Sequence, residues 1–353
     1  MAVWALAAAA LLSPAPAAAQ EAAPKEDKRG VFTVQFENDL FSGSDQHFTH
    51  GTRFAWLSPP REKGWGQDWV EKLASYVPVF DPSGTRRVSY ALGQNIFTPR
   101  DITRPVPDPA DRPYAGWLYA TVGLVSENGN RLDNLAMDIG VVGPASLADE
   151  TQTRWHRTFG FTTPRGWDHQ IHNEPGVVLY YERKWRKGLA LDIPELPLVR
   201  DLPVISHLGL LDNLGVDVSP HVGGALGNVF TYLSAGATFR LGDDLPNDYG
   251  PPRIRPSLPG NDYFQASPYS KLGWYLFSGI EVRAVARNIF LDGNTFRDSP
   301  SVDKRPIVAD FQLGLAITYG PVRVAYTHVI RTEEFYGQDR PDQFGGLSLS
   351  MRF

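Results

Sequence analysis

Three polar segments of this chain carry residue types that can do chemistry, at spacings that group them. The first is Glu37-Asn38-Asp39, followed by Asp45 and then Phe48-Thr49-His50-Gly51. Alternation puts Glu37 and Asp39 on one strand face with Thr33 and Gln35, and leaves Asn38 at the strand end. Carboxylate and amide oxygens this close suit a hard cation such as Ca²⁺. The same residues also suit a rim turn in which Asn, Asp and Ser cap backbone groups. The second segment is Asp111-Arg112-Pro113-Tyr114-Ala115-Gly116-Trp117-Leu118-Tyr119. The planar fork of Arg112 can hold a phosphate or a carboxylate in bidentate fashion, or form a plain surface salt bridge. Tyr114, Trp117 and Tyr119 have the character of an interfacial aromatic belt. The third runs from Gln152-Thr-Arg-Trp-His156 to Gly166-Trp167-Asp168-His169-Gln170-Ile-His-Asn173-Glu174. Gln152 and His156 share one face if the segment is helical, and a histidine there can take a proton from water. His169 and His172 lack the helical spacing of zinc proteases, so zinc is not expected.

Strands must position these residues. The chain ends Phe344-Gly-Gly-Leu-Ser-Leu-Ser-Met-Arg-Phe353. Leu347, Leu349, Met351 and Phe353 point one way, and Gly346, Ser348, Ser350 and Arg352 the other. An oily outer face and a polar inner face suit a barrel in lipid around a wet lumen; the competing reading is the last strand of a soluble sandwich. Twelve such strands are expected, near 31–39, 48–58, 86–95, 116–126, 133–142, 176–186, 213–223, 229–241, 274–286, 309–319, 321–331 and 344–353. Tyr319-Gly320-Pro321 reads as a tight hairpin turn. The long connections 59–85, 96–115, 143–175, 187–212, 242–273 and 287–308 mostly follow alternate strands, so one rim is expected to carry most of them. Residues 66–77 and 145–159 can each hold a short helix, and 242–273, rich in Pro, Gly, Asn and Asp, reads as an extended loop.

Residues 1–19 read as an export signal, with an apolar run from Val3 to Leu12 and Ala17-Ala18-Ala19 before Gln20. Residues 20–30 follow as a short polar segment and 31–353 as one barrel domain. No later stretch is long and apolar enough for a helical span. There are 0 cysteines, so disulfides and thiol chemistry do not arise. A net charge of -5 gives no reason to expect nucleic acid. The 12% aromatic content can supply interfacial girdles.

The three segments, in this order within an exported alternating-strand chain, resemble the outer-membrane lipid A 3′-O-deacylase family. The likeness runs from Val31 to Phe353 and includes Gly223-Gly224-x-x-Gly227-Asn228-Val229-Phe230-x-Tyr232. It implies a twelve-stranded barrel in the bacterial outer membrane, and Ca²⁺-dependent hydrolysis of the ester holding the 3′-linked acyl or acyloxyacyl group of lipid A in lipopolysaccharide. By this resemblance His156 is the base for water and Gln152 orients substrate or base. Asn38, Asp39 and Thr49 match active-site positions, with Asp39 and Asn38 near the cation. Arg112, Trp167 and Gln170 are expected on the substrate side. Arg100 or Arg104 stands where some members have a phosphate-contacting lysine. Thr162 stands where some carry a glutamate six residues after the histidine, a role left to Asp168 or Glu174. A closed barrel has no open edge to pair, so a monomer is expected. Two other readings stand beside this one: an outer-membrane phospholipase, which in its known form needs a Ser paired with His and Asn, and a non-enzymatic porin or structural barrel.

Overall fold

The computed structural model describes residues 29–42, 47–60, 72, 75–81, 83–186, 189–192, 214–243, 245–246, 248–254, 262–264 and 272–353. The expected signal at 1–19, the helix at 66–77 and Asp45 lie outside these residues, except for scattered positions near 72–77. The strands are β1 (Val31–Asn38), β2 (His47–Leu57), β3 (Thr85–Thr98), β4 (Ala115–Asn128), β5 (Arg131–Val142), β6 (Glu174–Trp185) and β7 (Leu189–Asp192). They continue as β8 (Leu214–Gly227), β9 (Phe230–Asp243), β10 (Gly273–Asn288), β11 (Ile307–Tyr319), β12 (Val322–Arg331) and β13 (Asp342–Arg352).

Every neighbouring pair is antiparallel, and the sheet closes twice over. β1 pairs with β13, and β6 pairs with β8. β6 and β7 lie in sequence along one edge of β8: Lys184 faces His221 and Leu189 faces Val218. They are two parts of one interrupted crossing, so the wall is a closed barrel of twelve. Closure abolishes the unpaired edges that lipid would leave unsatisfied. At the seam, Gly30 and Phe353 exchange backbone hydrogen bonds of 3.1 and 3.2 Å. Gly320 takes φ 53° in the hairpin between β11 and β12, which suits a turn with Gly first and Pro second.

Outward positions carry the lipid-facing side chains the alternation called for: Phe311, Leu313, Leu315 and Ile317 on β11, and Leu347, Leu349 and Met351 on β13 are all exposed. Connectivity divides the long connections between two rims rather than gathering most at one. Those after β3, β5 and β10 leave at the rim away from the termini, and those after β2, β7 and β9 at the rim of the termini.

The lumen is filled. Arg283 and Arg331 together give the Asp310 carboxylate four hydrogen bonds of 2.8–2.9 Å. Residues 248–254, part of the connection after β9, run inside the wall instead of extending from it. Arg253 bonds Glu37 at 2.7 Å and Gln312 at 3.2 Å, the Ile254 amide bonds Glu37 at 3.0 Å, Arg323 bonds Asp248 at 3.2 Å, and Lys184 holds the Tyr249 carbonyl at 2.6 Å. Arg240 grips Asp217 at 2.5 Å and also bonds Asp248. Above them Phe48, Phe97, Phe230, Phe290 and Phe344 pack together, with Phe97 stacked on Phe290 at 4.2 Å between ring centres. A twelve-strand wall is wide enough to leave space that side chains alone do not fill; here an inserted segment fills it. The wet lumen expected from alternation is therefore a packed one. In a planar bilayer the purified chain is expected to show no steady ohmic conductance, and open-channel current would contradict a filled lumen.

Candidate active site

The site is built on the outside of the barrel. Helix α1 (Ala148–Phe159) follows the β5 strand and lies against β3 and β4. Its start fits because residue 116 has no side chain: a Cβ there would sit 2.0 Å from Ser146 Oγ and 2.3 Å from Ala148 Cβ. Ala148 buries against Ile96, Ile102, Tyr114 and Trp167. Ile96 faces outward by alternation yet is fully buried, because α1 and the 99–114 connection cover it. Leu147 opens the helix in a left-handed conformation, φ 60°, and Gly160 closes it at φ 74°.

Ala148, Gln152 and His156 are the buried residues of α1 and lie along one face. Gly160 turns the chain back so that the Thr162 carbonyl meets His156 Nδ1 at 2.5 Å. A carbonyl only accepts, so Nδ1 is the ring nitrogen that carries a proton and donates. Thr162 thus orients the ring with its backbone, whatever its side chain. The carboxylates considered for that role are placed elsewhere: Glu174 accepts from Asn228, Asn294 and the Thr295 amide, and Asp168 is exposed. Gln152 Oε1 accepts from the Trp167 indole at 2.9 Å. Trp167 is buried against Tyr114, ring centres 4.8 Å apart.

The ends of β1 and β2 meet this helix. Asn38 lies opposite His50, and Asn38 Oδ1 accepts from the Leu40 amide at 2.8 Å as the chain enters the turn Asp39–Ser42. Asp39 is buried at 1% exposure. The ladder of β2 and β3 slips between Phe48 and His50, which makes Thr49 the extra residue of a bulge. Bulges of this kind re-aim a side chain, and Thr49 Oγ1 sits 2.7 Å from Thr98 Oγ1. The His50 ring lies 5.0 Å from Phe36 and 6.2 Å from Trp155 of α1. Asn38, Asp39 and Thr49 thus lie at the adjoining ends of β1 and β2, which α1 meets through the contacts of Trp155 with Phe36 and His50. Trp155, Phe159 and Phe161 extend an exposed aromatic surface from this contact.

The expected substrate-side residues divide. Gln170 follows Trp167 at the site, its amide bonded to the Trp167 carbonyl at 3.1 Å. Arg112 faces inward instead. It is 0% exposed, lies over the Phe97 ring and bonds Glu334 at 3.2 Å. Burial pushes the Glu334 carboxyl up, but Arg331 and Arg112 outweigh it and hold the group below the usual carboxylate range. Arg112 therefore closes the top of the lumen and does not reach the outer wall. Trp117 and Tyr119 also point inward, stacked at 5.6 Å within the core, so they form no interfacial belt. Arg100 and Arg104 are exposed beside a groove of about 220 Å³ and are paired with Asp339 at 2.5 Å and Asp108 at 3.2 Å. Among the described residues no group of three or more His, Cys, Asp or Glu is placed to hold a metal ion.

A family model described as outer membrane protein LpxR matches residues 4–353. No curated protein matches the chain. Among solved structures, LpxR from Salmonella typhimurium is 21% identical and superposes with a TM-score of 0.67 over 92% of this chain and 100% of its own. The β domain of the Bordetella autotransporter BrkA, at 9% identity and TM-score 0.42, covers 93% of this chain and 100% of its own. The KdgM porin, at 6% identity and TM-score 0.34, covers 92% and 99%.

Proposed function

Because this chain belongs to the LpxR family and is an integral β-barrel of the outer membrane, we propose that it is a lipid A deacylase that hydrolyses the ester of the 3′-linked acyl or acyloxyacyl group. The observation that carries this reading is His156. It sits on a helix against the outer wall, not in the lumen, with Nδ1 bound to the Thr162 carbonyl, which makes the other ring nitrogen the one that would serve as a base. A site on that wall serves a substrate whose acyl chains never leave the membrane, and the surface formed by Trp155, Phe159 and Phe161 can lie along such a chain.

In the proposed reaction His156 Nε2 takes a proton from water, and the oxygen of that water bonds to the ester carbonyl carbon. The carbonyl becomes a tetrahedral oxyanion. Its collapse breaks the bond to the sugar oxygen, which receives the proton held by His156. No serine nucleophile is required, and the hydrogen bond found at His156 Nδ1 goes to a carbonyl.

The oxygen chemistry at the end of β1 fits a hard cation: a buried carboxylate, Asp39, next to the Asn38 amide. Asp39 and Asn38 would hold Ca²⁺, which when bound supplies a Lewis acid for the ester carbonyl. Other oxygens must complete its shell, because among the described residues no group of three or more His, Cys, Asp or Glu is placed to hold a metal ion.

The test is ester hydrolysis by the purified chain in detergent micelles, given lipid A or a diacyl phospholipid, with Ca²⁺ or with a chelator. Release of the 3′-acyl group from lipid A alone, lost on chelation, is expected. Fatty acid released only from phospholipid would replace this reading with a phospholipase.

A further inference from the structure

We infer that Trp167 is a positioning residue that turns the amide of Gln152 so that its N–H groups, not its oxygen, face the reacting ester. This rests on the deacylase reading and names a role for Gln152 within it, as a hydrogen-bond donor to the oxyanion.

The argument starts from the chemistry of the indole. Trp Nε1–H donates and cannot accept. Trp167 Nε1 lies 2.9 Å from the end of the Gln152 side chain, so the amide group facing it must be the oxygen. The orientation follows from the partner and does not depend on telling nitrogen from oxygen. The amide nitrogen is then forced the other way. Gln152 Nε2 is buried and has no hydrogen-bond partner among the described residues. A buried donor left unmatched destabilises the resting protein. Such a group is retained where an acceptor arrives during function, and His156 lies one helical turn away on the same buried face.

Trp167 is itself held in place from several sides. It packs on Tyr114 and against Ile96, Ile102 and Ala148. Residue 166 must be glycine, since a Cβ there would come within 2.6 Å of the Tyr114 ring. The Tyr114 hydroxyl in turn bonds the Ile102 carbonyl at 3.3 Å. The indole is therefore a fixed donor, and the freedom of the Gln152 amide to rotate is removed before substrate arrives. A donor oriented in advance is what stabilises an oxyanion efficiently, because no reorganisation is needed as charge develops. During hydrolysis the carbonyl oxygen gains the electron pair of the C=O bond as the water oxygen adds, and Gln152 Nε2–H bonds to that oxygen. When the ester bond breaks, the pair returns to the carbonyl and the donor is released unchanged.

The test is a double-mutant cycle on the full chain in lipid A micelles, with kcat and KM measured separately. Gln152→Glu keeps an acceptor for Trp167 but has no N–H to offer, and it should lower kcat by about 10²-fold with KM little changed. Trp167→Phe keeps an aromatic ring but frees the amide, and it should lower kcat by about 10-fold. In the Gln152→Glu background, Trp167→Phe should cost little more, because the group it positions has gone. Independent losses that multiply would show Trp167 to be merely structural and overturn the inference. Gln152→Glu at wild-type kcat would overturn it as well, and this variant alone decides the matter if Trp167→Phe fails to fold. A wild-type chain that releases no acyl group from lipid A would instead sink the functional reading, and with it this role.

Discussion

His156→Ala is expected to lower the rate of lipid A ester hydrolysis by about 10²–10⁴-fold, the range associated with losing a positioned general base. The loss should fall on kcat, because the imidazole acts on water and adds little to substrate binding. The barrel should remain folded. His156 belongs to α1, outside the wall, and contributes to none of the ladders that close it. The Thr162 carbonyl loses its partner, which costs about 1–3 kcal/mol locally if water does not replace it. Small imidazole added to the Ala variant should restore part of the rate, since the Thr162 carbonyl remains to orient it. An Ala variant as active as the parent would remove His156 from the chemistry.

Asp39→Ala is expected to lower hydrolysis by about 10²–10³-fold, corresponding to ~3–4 kcal/mol of transition-state stabilisation by a bound cation. The variant should also need more Ca²⁺ to reach its residual rate. Asp39→Asn separates charge from shape: it keeps an oxygen at the same place, and should shift the Ca²⁺ titration in the same direction by less. An unchanged titration in both would take Asp39 out of the metal site. Glu37, one residue before Asn38, makes a contrasting control. Its carboxylate is already held by Arg253 and the Ile254 amide inside the lumen, so its replacement should loosen the inserted segment without changing the Ca²⁺ titration.

The wall was legible in the sequence because period-2 alternation reports directly which side chain meets lipid. β11 and β13 bury and expose the residues that the pattern assigned to each face. The β8 strand runs on to Gly227, past the expected end at 223, since the glycines there pair within the ladder instead of turning. The break between β6 and β7 left no periodic trace. The Pro- and Gly-rich connection after β9 reads as an outer loop by composition, yet residues 248–254 lie in the lumen. What holds them is pairing over long distances, such as Arg253 with Glu37 across 216 positions. Local pattern carries no information about such partners. The same limit explains Arg112, whose charge suggests a ligand but which is matched by Glu334.

Helical spacing put Gln152 and His156 on one face of α1, where both are buried, whereas Asn38, Asp39 and Thr49 were singled out as site residues through the likeness to a known family. The Thr162 carbonyl was out of reach, because a backbone acceptor has no residue signature; Gly160, a helix-ending residue, was the only local sign that the chain turns back there. Thr49 owes its position to a slip in the β2–β3 register, which becomes visible only when both strands are paired.

Mass spectrometry of lipid A from cells expressing this chain, beside cells expressing His156→Ala at equal folded level, tests the central claim most directly. A mass loss equal to the 3′-linked acyl or acyloxyacyl group, present with the parent chain and absent with the variant and in chelated membranes, is the predicted result. The same mass loss in the His156→Ala cells, or the loss of a different acyl group, would contradict it.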